Sequence, residues 1–186
     1  MDDVALTKYQ RRRQVVKIVR NLPGVVPLPA FVLGFTSELL FVHFLDEFHL
    51  NGYCIVRRRD ITKIRCGKDE RFHQRMLKAE GIVDRVGFEA TIDLGSWRLA
   101  FASLKRLQKH VSVSGEDSED PVTEGGDMFF IGRIVRINQK SVTLRHFDSE
   151  GWWEKRTRTV CYDDITMVDF DDEYITTYSK YLRKAK

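Results

Sequence analysis

Three cysteines among 186 residues, Cys54, Cys66 and Cys161, make an odd number with no CxxC spacing. That scarcity argues against a disulfide framework or a zinc site and points to reduced thiols in a cytoplasmic protein. No apolar run approaches the roughly 18 to 20 residues that span a bilayer. The opening "MDDVALTKYQRRRQVVKIVR" lacks the uninterrupted apolar core and small-residue cleavage site of a secretory signal. There is no P-loop, no GxGxxG, no HExxH and no GxSxG. A non-enzymatic protein without a cofactor is therefore the expectation.

What is present is an ordinary globular composition, 42% hydrophobic and 31% charged, with a net charge of +4. The charge is unevenly placed. Residues 1–110 carry 20 Lys/Arg against 12 Asp/Glu, and residues 111–186 carry 11 against 15, so +8 faces −4. Much of the acidity lies in "SGEDSEDPVTEGGD" (Ser114–Asp127), which has too little apolar content to offset its ordering entropy and reads as a flexible linker.

"DITKI" at Asp60–Ile64 returns as "DITMV" at Asp164–Val168, 104 positions later. With the triplets in register, Val56 falls on Val160, Ile61 on Ile165 and Ile64 on Val168. Upstream, "FVLGF" (Phe31–Phe35) resembles "FFIGR" (Phe129–Arg133), with Gly34 opposite Gly132, and "VHFLD" (Val42–Asp46) resembles "RHFD" (Arg145–Asp148). Each unit then reaches a glycine, Gly52 or Gly151, before a last strand-like run. The pattern reads as an internal duplication of a β-unit. Glycine inside an apolar strand suits a bulge or bend. "IVRINQKSVTLRHF" reads as a hairpin about Asn138–Lys140. Asp60 and Asp164 are expected to cap a tight turn, accepting backbone N–H bonds two residues on.

Apolar spacing predicts helices over Val4–Leu22, over 69–80 with Phe72, Met76 and Leu77 on one face, over Trp97–Lys109 with Ser96 as cap, and near Tyr174–Leu182. The expected fold is therefore mainly β with flanking helices (α+β): two tandem SH3/Sm-like small β-barrels from the duplication. The expected division is 1–80 for an N-terminal helix, first barrel and helix; 81–110 for a connecting segment with a helix; 111–127 for the acidic linker; and 128–186 for the second barrel and C-terminal helix.

The first copy resembles the Sm-like family in its "LGF" glycine, in "DEFHLN" (Asp46 to the adjoining Asn51) and in "IRCG" (Ile64–Gly67), over roughly residues 31–67. The resemblance implies single-stranded RNA binding involving Asp46, Asn51 and Arg65, and assembly through exposed strand edges. The second copy has "DSEGWW" and "VDFD" at these places, and nothing carries over to it.

From the residues themselves, the basic run around the first triplet makes Arg57, Arg59, Lys63 and Arg65, with Tyr53, a candidate nucleic-acid surface. The same run fits a solvated face, or an ion-pair seam against the acidic second half. Trp152 and Trp153 are candidate protein-contact anchors for an inhibitor or immunity-type module. His146 and Asp148 form a weak pair for metal or acid–base chemistry, two donors falling short of a metal site. The candidate partners are thus a nucleic acid or a protein, with no membrane, and further copies through barrel edge strands.

Overall fold

The structure, a computed structural model, describes residues 2–116 and 127–183. The chain divides into two compact units, Met1–Leu94 and Gly95–Lys186.

The N-terminal unit opens with helix α1 (Asp3–Arg11), whose N-cap Asp2 accepts the Val4 N–H at 2.9 Å. The helix stops well short of the expected Leu22. Arg13 takes a left-handed backbone (φ 43°), and Val15–Arg20 forms strand β1. The reason lies in the side chains: Val15, Val16, Ile18 and Val19 are β-branched and lose rotamer freedom against a helical turn, whereas a pleated strand accommodates them. Strands β2 (Leu28–Phe35), β3 (Leu39–Asp46) and β4 (His49–Arg57) follow as a meander. A 3-10 turn at Arg58–Asp60 then delivers β5 (Ile61–Arg65) back onto β1, with Ile18 opposite Ile64. The antiparallel order is β5-β1-β2-β3-β4. Helix α2 (Lys68–Ala79) covers Val15, Phe31 and Leu45 with Leu77. Its inner face differs from the expected one. Phe72 is 54% exposed, while Gln74 is buried because its amide bridges the Val15 N–H (2.6 Å) and the Arg13 carbonyl (3.0 Å).

The C-terminal unit repeats this order of elements. Helix α3 (Trp97–Arg106) is capped by Ser96, which accepts the Leu99 N–H at 3.3 Å, and it buries Trp97, Ala100, Phe101 and Leu104; it ends short of the expected Lys109, with Leu107 half-buried at its C-cap. Strands β6 (His110–Glu116), β7 (Asp127–Ile137), β8 (Ser141–His146), β9 (Arg158–Cys161) and β10 (Ile165–Phe170) take the order β10-β6-β7-β8-β9, again with the fifth strand returned to the first. Helix α4 (Glu173–Lys180) packs Ile175 against Ile131 and Phe147. The acidic stretch is therefore partly strand: β6 runs to Glu116 and β7 begins at Asp127, and 117–126 lie outside the described residues. The β7–β8 hairpin turns where expected, with the Asn138 N–H donating to the Ser141 carbonyl at 2.8 Å.

The architecture is mainly β with four helices among the described residues, the expected α+β class. The expected closure into barrels is not found. A barrel needs its end strands hydrogen-bonded to each other, and neither β4 with β5 nor β9 with β10 is so paired. The two triplets occupy matching places, since Ile61 and Ile165 each begin the returning strand. Val56 pairs with Leu40 and Val160 with Val142, all four buried. The aligned glycines differ. Gly34 lies at a register shift of β2 against β3, whereas at Gly132 an added Cβ would fall 2.0 Å from the Arg145 carbonyl oxygen, so β7 approaches β8 only without a side chain there.

Candidate functional site: an aromatic and basic cleft in the C-terminal unit

The loop from β8 to β9 is held by the Asp148 side chain together with its own backbone. The Asp148 carboxylate accepts the N–H groups of Glu150 and Trp152 at 2.9 Å each, its own N–H donates to the Trp152 carbonyl at 3.0 Å, and Gly151 supplies the positive φ (79°) that closes the turn. The Glu154 N–H donates to the His146 carbonyl at 3.0 Å, and Phe147 bridges to Trp153. Two indoles follow this clamp. Trp153 is half-buried, edge-on to Phe147 (5.6 Å) and to His110 (5.7 Å). Trp152, also half-buried, lies under the Arg183 guanidinium at 5.0 Å.

Together with the start of β7, this loop lines a cleft of about 790 Å³. Phe129, Phe130, Trp152 and Trp153 supply its aromatic wall, and Lys155, Arg156 and Arg158 its cations. Phe129 is 54% exposed. Arg158 lies over Phe130 at 5.6 Å, and Arg133 and Arg145 lie over Trp153 at 5.3 and 5.6 Å. Guanidinium groups on aromatic faces are electrostatically attracted and held in place. Asp148 and Glu154 also line the cleft, but Lys155, Arg156 and Arg158 outnumber them, so its chemistry favours an anion that also carries planar rings.

His146, on the cleft wall, stands edge-on to Phe130 at 5.5 Å, and its Nδ1 is buried with no hydrogen-bond partner. Burial pushes its pKa below the ordinary histidine value; the nearby Arg158 acts in the same direction and Glu154 against it. Asp148 shares the cleft, but its carboxylate is engaged by the loop. Among the described residues no cluster of three His, Cys, Asp or Glu side chains is placed to hold a metal.

The basic run of the first unit is arranged differently. Arg57 is buried and paired with Asp60 at 2.7 Å. Asp60 is thus the acceptor of a guanidinium rather than the expected cap of backbone N–H groups, and Asp164 is exposed. Arg58 pairs with Asp3 at 2.7 Å and donates to the Thr36 carbonyl. Arg65 donates twice to Glu70, at 3.0 and 3.2 Å. Tyr53 turns its hydroxyl to the Gly87 carbonyl at 3.0 Å and stacks on His43 at 4.4 Å. Arg59 and Lys63 are exposed, as is Asp46, while Asn51 is half-buried. Arg57 therefore lies inside the unit, away from the solvent face that Arg59 and Lys63 present.

Four candidates from the sequence, His146, Asp148, Trp152 and Trp153, thus meet in one cleft. Phe129, Phe130 and the arginines on the rings were not singled out. Only strand register, which brings Arg133 opposite Arg145, reveals them. No family model, no curated protein and no solved structure matches the chain.

Proposed function

We propose that the protein is a non-enzymatic binding protein that holds single-stranded nucleic acid in the cleft of its C-terminal unit. We further read each unit as an open relative of the SH3/Sm-like small barrel, on the strength of its five-strand meander with the last strand returned to the first.

The observation that carries the binding reading is the set of four aromatic rings, three of them (Phe130, Trp152 and Trp153) under arginines, with further cations at the rim. Single strands are held by this combination: bases stack on rings, each worth roughly 1–3 kcal/mol, and cations follow the phosphates. In the first unit, by contrast, Arg57, Arg58 and Arg65 already meet carboxylates.

Fluorescence anisotropy of a labelled single-stranded oligonucleotide against rising salt tests the reading. Affinity is expected to fall linearly on a log–log plot. Trp152→Ala and Phe129→Ala should each weaken binding about tenfold, and Lys63→Glu should leave it nearly unchanged. Binding of an acidic peptide, with none of the oligonucleotide at low salt, would replace this reading with a protein-interaction module using the same rings.

A further inference from the structure

Arg133 and Arg145 are direct cross-strand partners of β7 and β8. Like charges so placed, with side chains about 5 Å apart at their base, destabilise a sheet unless something sits between or above them. In the first unit Arg57, Arg58 and Arg65 each meet a carboxylate. Neither Arg133 nor Arg145 has a carboxylate within 4.0 Å among the described residues. Both instead lie on one indole, that of Trp153. That indole is fixed edge-on to Phe147 and His110, and His110 in turn meets the Ser179 hydroxyl at 2.6 Å. Two stiffened guanidinium forks on a fixed ring are a prepared anion receptor, because little side-chain entropy remains to be lost on binding.

We propose that Arg133 and Arg145 bind a phosphate monoester, and that its source is the terminal phosphate of the strand held in the adjoining cleft. The first half stands on the arginine pair alone; the second rests on the nucleic-acid reading. The charge count selects the monoester: it carries about −1.5 to −2 at neutral pH, matching two guanidinium groups, whereas an internal phosphodiester or a carboxylate carries −1. The place in the strand follows from Trp153, which both lines the cleft and carries the pair. Burial, and then the charge of Arg133, hold the His110 pKa below its ordinary value.

The test compares one single-stranded oligonucleotide with phosphate or hydroxyl at its 5′ end, and separately at its 3′ end, by anisotropy at matched ionic strength on the full chain. At one of the two ends, phosphate is expected to tighten binding roughly tenfold. In Arg133→Gln and Arg145→Gln the phosphorylated and hydroxyl forms should bind alike, both still through the cleft. Thermal unfolding without ligand should leave Arg145→Gln as stable as the parent or more so, since a like-charge pair is relieved, which separates lost recognition from lost folding. Equal affinity for all end groups overturns the phosphate receptor while leaving the cleft reading intact. No oligonucleotide binding, with Arg145-dependent binding of a phosphoserine peptide, overturns the assignment to nucleic acid and the cleft reading with it.

Discussion

His43 lies in the interior of the first unit, stacked on Tyr53 and within 3.5 Å of the Gly87 N–H, and burial lowers its pKa to about 4. An imidazole kept neutral inside the fold but free to charge when unfolded makes stability depend on pH. Its folded value lies below the ordinary 6.5, so the unfolded chain binds the extra proton between the two values. The contribution is complete above about pH 6.5, is lost as pH falls toward 4, and amounts to about 3 kcal/mol at most. Denaturant midpoints measured over pH 7 to 4 should fall for the parent protein and fall less for His43→Phe, which keeps the ring and cannot protonate. Parallel curves would remove His43 as the cause. The histidine was visible in the sequence as part of "VHFLD", but its burial was not, because that depends on the segment after α2 folding back to place Gly87 beside it.

At the scale of elements, the two Asp-Ile-Thr triplets have one position and two roles. Each brings an isoleucine to the head of a returning strand. Asp60, however, is buried against Arg57 at 2.7 Å, while Asp164 is exposed. Removing one partner of a buried pair leaves the other charge uncompensated and costs about 3–5 kcal/mol, whereas an exposed substitution stays within about 0.5 kcal/mol. Chemical denaturation should therefore separate Asp60→Asn, strongly destabilised, from Asp164→Asn, nearly unchanged; equal losses would mean a shared turn-cap role. The triplets made the paired units legible, and the polar turn at Asn138–Lys140 made the hairpin so. The helix expected over Val4–Leu22 failed at Val15–Arg20, where spacing alone does not separate a buried strand from a helix and the β-branched run decides. The buried face of α2 was hidden for another reason: Gln74 earns its place by hydrogen bonds to β1 and its approach, which no hydrophobic pattern records.

For the molecule as a whole, the same order of helix, five strands and helix occurs twice, with the charge divided unequally between the copies. Counting cations pointed to the basic first half, yet three arginines of its basic run and turn already meet Asp3, Asp60 and Glu70 within their own unit. In the less basic half Arg133 and Arg145 lie on the Trp153 ring and have no carboxylate within 4.0 Å among the described residues. Composition reports how many charges a segment has, and only the pairing reports how many are spent. The tryptophans and His146 were legible as candidates because their types are uncommon; their meeting with Phe129 and Phe130 depended on long-range strand pairing. The central claim, that the ligand lies in this cleft, is tested most directly by ultraviolet cross-linking of a uridine-containing single strand to the full chain, followed by peptide mapping. Adducts at Phe129–Phe130 or Trp152–Trp153 are the predicted result. Adducts confined to residues 53–65 would contradict it.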